Sequence, residues 1–297
     1  MSLAVRRQRM DVLSSRVANA DRLDPLVFSA AIPEKEFQAV KSAAFVYLSR
    51  CLGGDRLITD EDELIAKMAE NYTRIGNLTP NGKVMPKPWL NLEYNLFLRE
   101  LARAIKTLGL DEEIEDYRLP TLRYKPPMAV SNPQFASRPY ATEKPHNEMW
   151  ISSKNCDSIV MHLLIFGDSD HNHVRFYQTP PSYDEKWMRP IKDFVEVADV
   201  LELYKPIEKK PQKGRFYMFE GTAVHSTHIT PDAGGRISVE MFAVMKNKVP
   251  NIHLQKDDRL MDFTVKPEVF HKLGDGLFLG VKDTMSGVVE KENLVTL

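Results

Sequence analysis

The spacing of apolar residues divides the 297-residue chain into a helical first part and a strand-rich second part. In residues 33–52, 60–72 and 88–108, apolar side chains recur every three or four positions, which predicts amphipathic helices. The third segment has the strongest pattern, and Gly109 follows it as a helix-ending residue. A long helix with one apolar stripe is expected to pack against a sheet.

From about Leu119, short segments rich in β-branched and aromatic residues are separated by Pro, Gly, Asn and Asp, which predicts strands joined by turns. The predicted strands are residues 122–127, 149–153, 158–168, 173–179, 199–206, 214–221 and 236–246. Many short strands at regular intervals indicate a sandwich or barrel. We therefore expect a mainly β fold with flanking α-helices.

The length suits one integrated domain with an extension rather than several independent domains. We expect residues 1–118 to form an N-terminal helical extension that packs on the barrel, and residues 119–250 to form the β core. Residues 251–297 contain no motif and are expected to form a C-terminal cap. The helical extension is larger than a minimal barrel needs, which leaves a homodimer open.

Composition excludes several classes of protein. The formal net charge is −1, from 40 Lys+Arg against 41 Asp+Glu, so neither a nucleic-acid partner nor an anionic membrane is expected. The N-terminus has no apolar signal segment, and no run approaches the roughly 20 apolar residues of a membrane span, which favours a cytoplasmic protein. Cys51 and Cys156 are too few and too far apart to indicate a disulfide scaffold or a cysteine zinc site.

His146, Asn147 and Glu148 form the first candidate for metal chemistry. Residues i and i+2 of a strand project from the same face, so His146 and Glu148 could bind one metal ion while Asn147 turns away. A solvated loop after Pro145 is the alternative. The triplet alone therefore does not establish a site.

His225 is the second candidate. The apolar strand that begins at Gly214 ends in a turn at Glu220 and Gly221, and His225 follows that turn. This order predicts a strand-end histidine at the mouth of a barrel, where ligands are commonly bound. A surface histidine in a hairpin is the alternative.

Arg236 and Ser238 share one face of the next predicted strand, eleven and thirteen positions after His225. A guanidinium and a hydroxyl two residues apart can together bind a carboxylate. The alternative for Arg236 is an arginine that forms an ordinary salt bridge at a strand start. The combination is more specific than any of its parts.

In this order the residues resemble the Fe(II)/2-oxoglutarate-dependent oxygenases, especially their phytanoyl-hydroxylase-like branch. The resemblance covers roughly residues 119–245. It rests on His146, Glu148, Gly214, His225, Arg236 and Ser238. It implies a double-stranded β-helix, a jelly-roll core of cupin-like type with helices packed outside.

The resemblance also implies a reaction. His146, Glu148 and His225 would be the catalytic residues that bind Fe(II), and Arg236 with Ser238 would bind the distal carboxylate of 2-oxoglutarate. O₂ would then oxidise a C–H bond of a small-molecule metabolite, with decarboxylation of 2-oxoglutarate to succinate and CO₂. Most family members have Asp where this chain has Glu148. Any carboxylate there argues against a halogenase.

Further contacts follow from position. Arg123 and Tyr124 lie on the strand before the H-x-E segment, where the family often places contacts to the cofactor or the substrate. Trp150 continues the face of His146 and Glu148 and is a candidate pocket wall. His228 is a candidate substrate contact, with a surface turn as the alternative. His225 is preferred to His228 as the ligand because its spacing to Arg236 matches the family pattern.

The remaining histidines have plainer explanations. His171 and His173 lie in an Asp/Asn/Gly-rich turn signature, which favours a solvated hairpin. His162, in the middle of a strand, is expected to be a core histidine rather than a residue that lines the barrel interior. The loop 126–145 is either an active-site lid or a plain surface loop.

Two other classes of function remain open. One is a cupin-type metalloenzyme that uses the same ligands without 2-oxoglutarate, although such an enzyme has no need of Arg236 and Ser238. The other is a non-catalytic jelly-roll binding protein. An intact set of ligands makes that second class the less favoured one.

Overall fold

The computed structural model describes residues 2–53, 58–71, 82–84, 87–118, 120–127, 143–151 and 158–245, with five short strands beyond them. Most of the loop 126–145 lies outside the described residues, as does most of the predicted cap at 251–297. None of the helices in the described ranges is long and apolar enough to span a bilayer.

Four helices of ten or more residues precede the strand-rich region. They are α1 (Leu3–Arg16), α2 (Glu34–Leu52), α3 (Glu61–Glu70) and α4 (Asn91–Thr107). Two single-turn helices follow later, α5 (Glu148–Ile151) and α6 (Ala198–Leu201). The three predicted helices are confirmed as α2, α3 and α4. Asp60 caps α3 by accepting a hydrogen bond from the backbone N–H of Glu63 at 2.8 Å.

Strands β1 to β11 build the core. They are Asp21–Asp24, Val27–Ala31, Lys83–Val84, Ile114–Arg118, Thr121–Lys125, Ser158–Gly167, Asn172–Gln178, Lys205–Pro206, Arg215–Glu220, His225–Ile229 and Arg236–Met245. Beyond them lie β12 to β16. These are Thr264–Val265, Gly276–Phe278, Val281–Asp283, Val289–Lys291 and Leu294–Thr296.

The core strands form two antiparallel sheets. In the major sheet β5, β11, β6 and β9 are neighbours in that order, and β2 and β1 extend it beyond β9. In the minor sheet β10, β7 and β8 are neighbours, and a backbone bridge joins His146 to His225 at the outer side of β10. From β6 onwards the chain passes to the minor sheet with β7 and β8, returns to the major sheet with β9, and crosses again with β10 and β11. This back-and-forth course is that of a double-stranded β-helix and confirms the expected fold class.

The two faces of the major sheet have different surroundings. Ile159, Met161 and Val239 point into a hydrophobic cluster shared with α2, α3 and α4. The alternate residues point towards the minor sheet, where Val160 and Phe219 join a second hydrophobic cluster. The helices therefore cover one face of the sheet, and the second face is left to form the interior of the β-helix.

Two predicted strands are wrong. Residues Met149–Ile151 of the predicted strand 149–153 belong to α5, and 199–206 contains the end of α6 with only Lys205–Pro206 extended. Residues 1–118 also contribute more than helices. They supply β1 to β4, and β2 pairs with β9 along five residues from Val27 to Ala31.

Helix α1 is attached by buried charges. Arg6 and Arg9 both donate to the Oε1 atom of Glu220, at the end of β9, and all three side chains are almost completely buried. A buried carboxylate needs such partners, because removing a charge from water is costly. Since a pairing across more than 200 residues is invisible in a local pattern, α1 was not predicted.

Candidate metal centre

His146, Glu148 and His225 lie together at one end of the β-helix. One ligand atom from each residue lies within 4.8 Å of the other two. The His146 and His225 rings are 4.5 Å apart between centroids, and His225 Nε2 is 3.4 Å from Glu148 Oε1. The structure therefore brings together the three residues that the sequence motif proposed as ligands.

Backbone hydrogen bonds hold the two histidines in register. The N–H of His146 donates to the carbonyl of His225 at 2.9 Å, and the N–H of His225 donates to the carbonyl of His146 at 2.8 Å. Glu148 reaches the same place by a different route from the expected one. It is the first residue of α5, and the Asn147 side chain caps that turn by accepting from the N–H of Trp150 at 2.9 Å.

Hydrogen bonds show which ring nitrogen of each imidazole is available to bind a metal. His146 Nδ1 is 2.7 Å from the carbonyl oxygen of Lys144, and His225 Nδ1 is 3.1 Å from that of Ala223. A carbonyl oxygen only accepts, so each Nδ1 carries the proton and each Nε2 is available as a ligand. Burial and the neighbouring His225 lower the pKa of His146 to about 4, which keeps it neutral near pH 7.

Glu148 supplies the negative charge. Burial disfavours its ionised form, but the adjacent imidazoles of His225 and His146 outweigh burial, so its pKa is lowered. Two imidazole nitrogens and one carboxylate, all ready in their metal-binding forms, fit a divalent transition metal. This donor set is typical of non-haem Fe(II).

Arg236 lies in the same cavity and is 2% exposed. Its Nε donates to Asn172 Oδ1 at 2.8 Å, and its Nη1 lies 3.3 Å from Ser238 Oγ and 3.4 Å from His162 Nε2. Burial and the nearby Arg123 lower its pKa to about 9, so it remains a cation at neutral pH. No carboxylate among the described residues forms a salt bridge with it.

The neighbouring cations differ from Arg236 in this respect. Arg123 Nη2 is 2.5 Å from Glu240 Oε2, and Lys125 Nζ is 2.9 Å from Glu143 Oε1. Burial works against ionisation of Glu240, but Arg123 and Lys83 more than offset it and hold the pKa of Glu240 well below its usual range. Arg123, which we expected to contact the cofactor or the substrate, thus lines the cavity of the triad, where it forms a salt bridge with Glu240.

One cavity joins these groups. It lies between the major and minor sheets, and its wall is mixed charged, polar and apolar. Its lining residues are Arg123, His146, Glu148, Val160, His162, Val174, Phe219, His225, Ser226, Thr227, Arg236 and Glu240. Ser238 is fully buried beside Arg236. The triad and the guanidinium therefore face the same enclosed space.

The three tentative substrate residues are not among those that line this cavity. Trp150 is fully buried in the second hydrophobic cluster, and its indole N–H donates to the carbonyl of Trp187 at 2.8 Å. Tyr124 belongs to the cluster under the helices. His228 alternates with the inward-facing Thr227, and its ring lies 5.1 Å from that of His173 on the outer side of the minor sheet.

Of the other histidines, His162 and His173 depart from the sequence interpretation and His171 agrees with it. His162 lines the cavity beside Arg236, whereas we expected a core histidine. His171 is in the exposed turn, where its N–H donates to Asp168, as the turn signature indicates. His173 is 4% exposed rather than solvated, since it already belongs to strand β7.

Sequence reasoning missed Asn172 and Glu240 as well as the position of His162. Glu240 had a signal, because alternation along β11 places Arg236, Ser238 and Glu240 on one face. His162 had the weaker signal of facing away from the Ile159 face. Asn172 had no such signal, because an Asn in a turn signature is already explained by its role in the turn.

Fold and site together define a double-stranded β-helix with two histidines, one carboxylate and a buried arginine at one cavity. No protein-family model matches the sequence, and no curated protein matches it either.

Solved structures give distant matches. AviO1 from Streptomyces viridochromogenes Tue57 is 12% identical, with a TM-score of 0.41 over 82% of this chain and 98% of its own. An N-substituted L-amino acid dioxygenase from Burkholderia ambifaria AMMD is 16% identical, with a TM-score of 0.39 over 80% and 86%. The non-heme alpha ketoglutarate dependent carbocyclase SnoK from nogalamycin biosynthesis is 11% identical, with a TM-score of 0.40 over 78% and 86%. At these values the matches assign no family, so function rests on the geometry of the site.

Proposed function

We propose that the protein is a non-haem Fe(II)/2-oxoglutarate-dependent oxygenase that hydroxylates, or otherwise oxidises, a C–H bond of a small-molecule metabolite. His146, Glu148 and His225 would hold the iron. Arg236 and Ser238 would hold the distal carboxylate of 2-oxoglutarate. The bound metal would supply the O₂ chemistry, which no side chain of this cavity can perform.

The single observation that carries the proposal is the buried guanidinium of Arg236. No described carboxylate lies within salt-bridge distance of it, although Glu240 and Glu143 act on it at longer range, whereas Arg123 and Lys125 each form a salt bridge. A buried cation is stable only when a counter-charge or polar groups compensate it. A carboxylate ligand in the cavity would provide that counter-charge, and 2-oxoglutarate has one at each end.

The positions of these groups favour one orientation of the proposed co-substrate. Asn172 fixes the plane of the Arg236 guanidinium through Nε, and Ser238 lies beside Nη1. The triad is the second attachment point in the same cavity. A keto acid with a carboxylate at each end can contact both points, so binding there would position it and exclude water from the reacting end.

Ligand comparison tests the assignment without knowledge of the substrate. Calorimetric titration of the Mn(II)-loaded protein should show binding of 2-oxoglutarate and much weaker binding of glutarate, which lacks the keto group. Pyruvate lacks the distal carboxylate and should also bind weakly. Equal affinity for 2-oxoglutarate and pyruvate would show that Arg236 does not bind the distal carboxylate. It would favour a cupin-type metalloenzyme that does not use 2-oxoglutarate.

Turnover supplies the second test. The anaerobic Fe(II) protein should produce succinate when it receives O₂ and 2-oxoglutarate together with a metabolite extract, and should produce none without iron. A His225→Ala variant is the control for free iron in the mixture. Metal binding without any succinate would favour the non-catalytic jelly-roll protein.

For the substrate we propose a polar small metabolite. The support is the polar part of the cavity wall, where Ser226, Thr227 and the Arg123–Glu240 pair lie beside the triad. Fractionation of the extract by polarity, followed by the succinate assay, tests this. Stimulation confined to the apolar fraction would contradict it.

A further inference from the structure

We propose that Glu220 is a positioning residue for the metal centre, and that helix α1 acts on that centre through it. The proposal goes beyond the oxygenase function and needs only that the triad binds a metal. Glu220 ends β9 five residues before His225, and it is 0% exposed.

The Glu220 carboxylate fixes the turn that leads to His225. Its Oε2 accepts from the N–H of Thr222 at 2.9 Å and from the Thr222 hydroxyl at 2.7 Å. Its backbone carbonyl accepts from the N–H of Ala223 at 2.8 Å. These bonds close residues 220–223 into one rigid turn, in which each carbonyl has a defined direction.

Two carbonyl groups of this turn hold the ligand residues. The Ala223 carbonyl accepts from Nδ1 of His225 and so orients the imidazole. The Gly221 carbonyl accepts from the N–H of Met149 at 3.2 Å and so anchors the start of α5, where Glu148 lies. One turn thus supports two of the three proposed ligands. Groups that orient metal ligands typically change metal affinity 10- to 100-fold when they are removed.

Helix α1 holds the other oxygen of the same carboxylate. Arg6 and Arg9 both donate to Oε1, so the charge that organises the turn is neutralised by the N-terminal helix. A second attachment lies at the start of α1, where the N–H of Leu3 donates to Glu185 at 2.8 Å. Glu185 begins the turn whose Trp187 carbonyl holds the indole of Trp150. Both attachments lead to the segment that carries His146 and Glu148.

Glu220→Gln keeps the shape of the side chain and removes its charge, and Val40→Ala is the matched control. Val40 is fully buried in α2 under the helix-covered face, remote from these contacts, so its truncation lowers stability without altering the turn. Calorimetry with Mn(II), without 2-oxoglutarate and well below both melting temperatures, should give a Kd raised about tenfold or more for Glu220→Gln. The Kd of Val40→Ala should match that of the unaltered protein.

Thr222→Val is the second variant if Glu220→Gln does not fold. It removes one hydrogen bond to the carboxylate and leaves both arginine contacts, and should raise the Kd a few-fold. An unchanged Mn(II) Kd in the folded variants would overturn the proposal, as would an equal rise in Val40→Ala. Because the readout is Mn(II) affinity alone, failure to form succinate would overturn the proposed function and leave this inference standing.

Discussion

His225 and His228 show how alternation along a single strand separates two similar residues. His225 pairs with Phe176 across β10 and β7, and both side chains point into the β-helix. His228 pairs with His173 on the opposite side of the same two strands. Three residues of sequence separation therefore correspond to opposite faces of the minor sheet.

This difference predicts opposite outcomes for two alanine variants. His225→Ala should abolish binding of Mn(II), because it removes one of three ligand side chains. His228→Ala should bind Mn(II) with unaltered affinity. Calorimetric titration of both purified variants checks the pair, and loss of binding in His228→Ala would show that the ligand assignment is wrong.

Arg236→Ala should weaken 2-oxoglutarate binding far more than metal binding. Truncation of one partner of a buried, charged hydrogen bond costs about 2 to 5 kcal/mol, which corresponds to a Kd raised roughly 30-fold or more. Titration of 2-oxoglutarate into the Mn(II)-loaded variant measures this change. Arg175→Ala is the matched control, because Arg175 alternates with the buried Val174 and Phe176 on β7. Equal weakening in both variants would contradict the role of Arg236.

At the scale of elements, the sequence indicates those helices and strands whose burial follows a simple period. Helix α2 begins at Glu34, one residue later than the predicted segment 33–52, and both end at Leu52. β6 and β11 are also recovered, because β6 is an almost continuous apolar run and the first half of β11 alternates polar with apolar residues.

Elements whose burial depends on distant partners are not recovered. Helix α1 buries Arg6 and Arg9, which a hydropathy pattern assigns to the surface. The segment around Trp150 reads as a strand because of its bulky residues, but the Asn147 cap turns it into a helix. The core prediction for His162 was wrong for a related reason. A position in the middle of a strand does not show whether the side chain lines a cavity or packs in a filled core.

Gly167, the last residue of β6, lies beside the start of β11. Gly167 has φ +83° and lies opposite Arg236 in the strand register. A Cβ there would lie 2.1 Å from the carbonyl oxygen of Gly235. Side chains therefore cannot be accommodated without displacement of the strand that carries Arg236.

We expect Gly167→Ala to lower the free energy of unfolding by more than about 2 kcal/mol and to weaken 2-oxoglutarate binding. Gly109→Ala is the control, because Gly109 has φ +73° and the atom nearest to a Cβ there is the Arg16 carbonyl oxygen at 4.0 Å. That variant should lose only about 1 kcal/mol, the cost of the backbone conformation. Urea unfolding measures both, and similar losses would show that the contact with Gly235 is not decisive.

Considered as a whole, the molecule keeps several histidines buried and neutral. Burial and Arg236 lower the pKa of His162 well below its ordinary value, and burial with His225 lowers that of His146 to about 4. An unfolded chain protonates its histidines near pH 6.5. Below that pH the unfolded state binds more protons than the folded state, so stability falls as the pH falls.

The metal-free protein should therefore lose about 2 kcal/mol of unfolding free energy per such histidine between pH 8 and pH 5. Urea unfolding in the presence of a chelator measures this loss. His162→Gln should show a shallower dependence on pH than the unaltered protein, whatever its stability at pH 8. A free energy that stays constant or rises towards pH 5 would contradict the prediction.

The unequal faces of the major sheet also matter for laboratory evolution. On β6 and β11, positions such as Ile159 and Val239 serve only the contact with the helices, and their neighbours Val160, His162 and Ser238 serve only the interior. A library that randomises only the inward-facing positions would therefore vary the cavity wall and leave the hydrophobic contact between helices and sheet intact. A library at the alternate, helix-facing positions would change mainly the stability of the fold and would leave the cavity wall almost unchanged.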